Sequence, residues 1–189
     1  MQIAMDPTSD VVTLTPLNLL LSGVYLVINH KKINARFVLF FALAFTIGFS
    51  IEVIGVKTGL IFGAYSYGDV LGIKVLDVPL VIGLNWFLLV YATSCVAEYL
   101  VKKIWLKVIV AAALMTLLDV LIEPIAIRLD FWTWEQASVP MLNYIAWFFI
   151  SALVIAIHYG LKTNQRNGAG VVLFGLQVIF FAVLNFTIL

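Results

Sequence analysis

Charge is scarce in this chain: 11% of its 189 residues are Asp, Glu, Lys or Arg, against about 25% in an average soluble domain. That scarcity excludes a water-soluble globule, and the 63% hydrophobic content with a mean hydropathy of +1.11 makes the same point. Cysteine is nearly absent: Cys95 stands alone, so neither an internal disulfide nor a cysteine metal cluster can form. Histidine is limited to His30 and His158, too few for the histidine-rich metal centre of a membrane di-iron desaturase. The net charge of +1 comes without a clustered basic face, so no nucleic-acid partner is expected. Phosphate-cradling glycine loops and dinucleotide fingerprints are missing, as are the paired Asp-rich magnesium motifs of membrane prenyltransferases. Redox and diphosphate chemistry are therefore not expected, and no metal or cofactor is called for. The opening residues carry Asp6 and Asp10 but no Lys or Arg. They lack the basic start of a secretory signal, and the first apolar run is expected to be a retained span.

What the chain has instead is apolar runs near the roughly 20 residues that cross a bilayer. Six stretches fit, at 11–29, 37–56, 78–100, 107–129, 140–161 and 168–188. Pro16, Asn18 and Ser22 interrupt the first. The expected fold class is an all-α, multi-pass integral membrane protein: one domain over 1–189, a bundle of about six helices with two structured outer loops. Lys31, Lys32, Arg36, Lys102, Lys103, Lys107, Lys162 and Arg166 fall in the connections after the first, third and fifth runs. The other side holds only Lys57, Lys74 and Arg128. The positive-inside rule then places both termini outside the cytoplasm, in a prokaryotic cytoplasmic membrane with lipid as the immediate neighbour. His30 and His158 are expected near the cytoplasmic interface, as neither ligands nor bases.

Three carboxylic acids interrupt these runs: Glu52, Asp119 and Glu123. An acid at a membrane-helix centre costs roughly 2.5–3.5 kcal/mol on insertion scales, so intramembrane acids default to a functional reading. At the rise of an α-helix, Glu52 lies roughly 24 Å from Arg36, and Glu123 roughly 24 Å from Lys107. Asp119 sits one turn from Glu123 on the same helix face. Asn85, Asn143, Trp147 and Asn185 are expected at a similar level, so the strongest polar groups share one layer. Each asparagine has a plainer reading as an interhelical packing bond, Asp119 as an ion-pair partner of Arg128 or a loop lysine, and Glu123-Pro124 as a kink. The outward loops add Gly59, Phe62, Gly63, Tyr65, Tyr67 and Gly68 in one, and Phe131, Trp132 and Trp134 in the other. An interfacial aromatic belt is the alternative account of those rings.

Burial in an apolar cavity disfavours the charged form of a carboxyl group, and a second acid one turn away opposes double ionisation. Such a pair keeps a proton ready for general acid work. Aromatic faces stabilise cations by about 0.5–2 kcal/mol. Together these features suit protonation of an isoprenoid double bond, followed by capture of the tertiary carbocation by water or by an internal double bond.

Two blocks carry a family resemblance. The first is 52–67, EVIGVKTGLIFGAYSY, followed by Leu71-Gly72 and Val78-Pro79. The second is Asp119 to Pro124 (DVLIEP), Trp132-Thr133-Trp134, and Pro140 to Tyr144 (PMLNY) with Trp147. In order and spacing they resemble the carotenoid hydratase family of carotenoid-biosynthesis membrane proteins. The resemblance covers roughly the central hundred residues. It implies a cofactor-free enzyme that adds water across the terminal double bond of an acyclic carotenoid. Carried over by position, Glu52 and Asp119 match acidic positions, and Trp132, Trp134 and Asn143 the aromatic and amide ones. The catalytic set is then Asp119, Glu123 and Glu52, with Tyr65, Tyr67, Trp132, Trp134, Asn143, Trp147 and Asn85 lining the substrate. A lipid-soluble carotenoid is the expected ligand, in a membrane setting compatible with association with other carotenoid-biosynthesis enzymes. Two departures stand out: Glu123 occupies a place where Asp is expected, and 135–139 looks shortened, which leaves substrate and regiochemistry open. An end-group cyclase using the same protonation, and a non-catalytic substrate-binding subunit of a vitamin transporter, are the alternatives.

Overall fold

The computed structural model describes residues 10–136 and 138–188; part of the altered 135–139 stretch thus lies outside the described residues. In chain order the helices are α1 (Asp10–Thr13), α2 (Thr15–Ile28), α3 (Ala35–Thr58), α4 (Val81–Leu100), α5 (Ile104–Arg128), α6 (Met141–Gly160) and α7 (Gly168–Ile188). Between them lie four short strands: β1 (Tyr65–Tyr67), β2 (Lys74–Val75), β3 (Val78–Pro79) and β4 (Trp132–Trp134).

Five helices, α3 to α7, are long and apolar enough to cross a membrane, and the chain is an all-α integral membrane protein. The first expected span is shorter. Its main helix, α2, has 14 residues, about 21 Å at helical rise. The break falls before Pro16, which sits in the first turn of α2, where its missing N–H costs nothing. Thr15 Oγ1 ties the two pieces together by donating to the Val12 carbonyl at 2.7 Å. At the start of α3 the helix gains residues because Asn34 caps it, its side chain accepting the Phe37 N–H at 3.0 Å.

α4 is the hub. It is buried over 78% of its span, against 17–39% for the other spanning helices, and packs against α2, α3, α5, α6 and α7. Close approach to α3 depends on Gly48: a Cβ there would lie 2.2 Å from Trp86 Cγ. Only hydrogen at that position lets the indole enter the bundle. The outward faces carry exposed Leu39, Ile54, Leu117, Phe149, Leu153, Leu176 and Phe180, the surface that hydrocarbon demands.

At one end of the bundle the α3–α4 and α5–α6 connections form a ribbon that the helical reading of the sequence did not include. β1 pairs antiparallel with β4 in the register Tyr65 with Trp134, Ser66 with Thr133 and Tyr67 with Trp132. The Glu135 N–H to Ala64 and Gly68 N–H to Phe131 bonds, both 3.0 Å, extend it. Gly68 allows the crossing, since a Cβ there would meet the Asp130 carbonyl at 2.0 Å. A hairpin of β2 and β3 turns at Leu76 and Asp77, and Asp77 pairs with Lys57 at the end of α3.

The opposite end is closed by polar bonds around Tyr91, whose hydroxyl accepts from Gln165 and Asn167 at 2.9 Å and meets His30 Nδ1 at 2.8 Å. Lys107 and Glu98 pair there at 2.7 Å. His158 lies at this end with His30, away from the acids, as expected, but it is not exposed at the interface. It is buried, with its ring 4.1 Å from Phe40 and its Nδ1 2.7 Å from Thr163 Oγ1, because the α6–α7 connection folds back over it.

Gly48→Ala is expected to lower the melting temperature of the detergent-solubilised protein, since overpacking costs about 1–3 kcal/mol. An unchanged melting temperature would contradict the close contact between α3 and Trp86.

Candidate active site

The ribbon places the four aromatic side chains by simple alternation. In a strand, residues i and i+2 share a face, so Tyr65 and Tyr67 point one way on β1, and Trp132 and Trp134 the same way on β4. Antiparallel pairing merges them into one inward face, while Ser66 and Thr133 lie on the exposed face, 3.4 Å apart. The rings are therefore not an interfacial belt. They touch one another across the strands, with centroids 5.1 Å apart for Tyr65 and Trp134, and 6.0 Å for Tyr67 and Trp132.

Each ring also aims a hydrogen-bond donor at a helix acid. Tyr65 and Tyr67 donate to Glu52 Oε2 at 2.5 and 2.8 Å, and Trp86 Nε1 donates to Glu52 Oε1 at 3.0 Å. Trp132 and Trp134 both donate to Glu123 Oε2 at 3.0 Å. Asn143 Nδ2, near the start of α6, bridges the two α5 acids, at 2.9 Å from Asp119 Oδ2 and 3.2 Å from Glu123 Oε1. Burial, and then the nearby Glu52 charge, hold the Tyr65 and Tyr67 hydroxyls above the usual phenol range, so both remain donors.

The donors are unevenly shared. Glu52 receives three, Glu123 receives three, and Asp119 receives one, leaving Oδ1 without a hydrogen bond from any described residue. The Arg128 or lysine partner considered for Asp119 is not used. Asn143 takes that place, and no Lys, Arg or His is among the described residues around the cavity.

All ten residues anticipated for the site line one cavity of about 100 Å³: Glu52, Tyr65, Tyr67, Asn85, Asp119, Glu123, Trp132, Trp134, Asn143 and Trp147. Asn185 does not join them. It bonds the Leu121 and Phe181 carbonyls at 2.8 and 2.7 Å, a packing role between α7 and α5. Sequence reasoning missed Trp86, which bonds Glu52 and stacks on Trp147 with centroids 4.6 Å apart and planes 11° off parallel. It also missed Gln177 of α7, another wall residue. A signal existed for Trp86, since an indole in the middle of a membrane helix needs an acceptor for its N–H.

The model of a family described as carotenoid biosynthesis protein matches residues 12–189. The chain belongs to that family. Its role therefore lies in carotenoid biosynthesis. It is also similar to bisanhydrobacterioruberin hydratase of Haloarcula japonica (strain ATCC 49778 / DSM 6131 / JCM 7785 / NBRC 101032 / NCIMB 13157 / TR-1), with 27% identity over 117 residues. That match takes in 58% of this chain and 40% of the relative, so the chain spans less than half of the relative's length. No solved structure matches.

Trp132→Phe and Trp134→Phe each remove one N–H from the same Glu123 oxygen. Each is expected to cost about 1.5–3 kcal/mol, the range for bonds to charged groups. The double variant, which strips Oε2 of both donors, should cost more than the sum. Strict additivity of melting-temperature shifts in detergent would contradict the shared acceptor.

Proposed function

We propose that this member of the carotenoid biosynthesis family is a hydratase that adds water to the terminal carbon–carbon double bond of an acyclic carotenoid end. The observation that carries this reading is the uneven supply of donors to three buried acids. Donors aimed at a carboxylate favour its charged form. Glu52 and Glu123, each held by three, are the carboxylates. Asp119, held by one, keeps its proton on the unbonded Oδ1 and is the general acid.

The cavity supports an end-on reaction. Engineered cavities of about 150 Å³ accept a benzene-sized guest, so the space here suits a branched chain end, with the rest of the polyene lying among the helices or in lipid. Asp119 delivers its proton to the less substituted alkene carbon. The π bond breaks, a new C–H bond forms, and a tertiary cation develops at the branched carbon. The faces of Trp132, Trp134, Tyr65 and Tyr67, with the Glu52 and Glu123 carboxylates behind them, stabilise that cation. Water then forms the C–O bond, and its surplus proton returns to the Asp119 carboxylate. The donors are preorganised on a ribbon clamped to α3 and α5, so little reorganisation is needed as charge develops.

On this reading Glu52 sets the field on the far wall of the site, and Glu123 holds Asp119 in place through Asn143. The excess of basic residues at the other end puts the ribbon on the non-cytoplasmic side, with both termini there.

The test is expression in cells that accumulate an acyclic carotenoid with unmodified ends. The expected result is a more polar pigment heavier by one water per reacted end. A product of unchanged mass with a ring at its end would overturn hydration in favour of cyclisation, and unaltered pigment would overturn the enzyme reading. Asp119→Asn preserves volume and the Asn143 contact, so product should be lost while the protein still accumulates. Full activity in that variant would remove Asp119 as the acid.

A further inference from the structure

Resting on the hydration reading, a second question arises: how water reaches the cation without first taking the acid's proton. The polar groups on the acid side are committed to one another through Asn143, the indoles and the phenols. Two other lining groups are different. Gln177 of α7 lines the cavity, and its Oε1 is buried with no hydrogen-bond partner among the described residues. Asn85 of α4 also lines it, and its amide makes no hydrogen bond to any described residue. Thr15 of α2, which also lines the cavity, spends its hydroxyl proton on Val12. α4 and α7 pack side by side, and each brings a primary amide unpaired among the described residues to the same chamber.

A buried carbonyl without a partner costs about 1–3 kcal/mol, which a packing role for Gln177 would leave uncompensated; Asn85 is half-buried and faces the same cavity. Asn185, on the same helix as Gln177, illustrates that packing role, its Nδ2 donating to two backbone carbonyls. We infer that Asn85 and Gln177 hold the nucleophilic water in the cavity they share with the acids, and so decide between hydration and loss of the proton. Amides suit this task. Their carbonyls accept the water's O–H bonds and leave a lone pair free for the cation. Being neutral, they neither ionise that water nor take the Asp119 proton. When the C–O bond forms, the oxonium gives up its surplus proton to the Asp119 carboxylate, which restores the acid. Without a held water, the cation returns a proton to that same carboxylate and becomes an alkene again.

The discriminating experiment uses Gln177→Met and Asn85→Leu, which keep bulk and remove the amide, with Gln177→Asn as the conservative control. Each is expressed with an acyclic carotenoid in D2O medium. Hydroxylated product and deuterium in the recovered substrate are both measured by mass spectrometry. Hydration is expected to fall by about tenfold in Gln177→Met and Asn85→Leu, the order lost with one hydrogen bond. Deuterium uptake into the recovered alkene should persist, because protonation and its reversal do not need the held water. Gln177→Asn should retain more hydration than Gln177→Met. Unchanged hydration in both amide-free variants would overturn the assignment. So would parallel loss of hydration and deuterium uptake, which would place the two amides in protonation or folding instead. Wild-type protein giving neither hydrated product nor deuterated substrate would overturn the hydratase reading itself, a result distinct from either of those.

Discussion

The structure depends on how three buried carboxyl groups are satisfied without a cation. Ions in hydrocarbon are tolerated only when something replaces water around them. Here the replacements are indole N–H, phenol O–H and amide N–H groups. These donors hold a carboxylate without cancelling its charge. The same chain shows the other solution at its opposite end, where Glu98 is neutralised by Lys107 and further bonded by Asn164 at 3.0 Å. An acid held by an ion pair is spent, whereas on the proposed reading Glu52 and Glu123, held by neutral donors, keep a negative field for a positive intermediate while Asp119 keeps its proton. That contrast within one molecule separates Glu98 from the three acids that line the cavity.

The need to bring neutral donors to the acids explains features that otherwise look unrelated. Donors above the helix ends must come from the connections, so both connections turn into strands and pair. The pairing register makes Tyr65, Tyr67, Trp132 and Trp134 a single inward surface, and Gly68 and Gly48 are the points where backbone or indole must pass too close for a Cβ. Two segments distant in sequence thus become one lid. A substitution in either connection is felt at acids on both α3 and α5. The ribbon and the central α4 enclose one chamber, which on the proposed reading receives the end of a carotenoid chain.

Much of this was legible in the sequence, for physical reasons that can be named. Membrane helices announce themselves by length and apolarity, and α5 to α7 followed the apolar runs closely. Intramembrane acids at equal helical distance from basic anchors predicted a shared layer, and Glu52, Asp119 and Glu123 do share a cavity. The short first helix was less visible, because Pro16 breaks the run without changing its composition. The strands escaped notice because each is only two or three residues long. Yet the repeated pattern aromatic–hydroxyl–aromatic at 65–67 and 132–134 carries the period of two that marks a strand face. The burial of His158 went unseen for a different reason: it depends on the α6–α7 connection folding back over it, through Thr163 and the bonds to Tyr91. Trp86 and Gln177 were hidden because a helical residue's role depends on which neighbour its face meets, and helix packing is not written in the period alone.

The central claim is that a protein acid gives a proton to an alkene carbon and that water supplies the oxygen. Isotope labelling tests it most directly. Wild-type reaction in D2O, and separately in water enriched in oxygen-18, is followed by mass spectrometry of the pigment. The account predicts one non-exchangeable deuterium on the carbon next to the carbinol carbon, and a hydroxyl oxygen drawn from water, at every modified end. An oxygen atom derived from molecular oxygen, or a hydroxylated product without the new C–D bond, would contradict it.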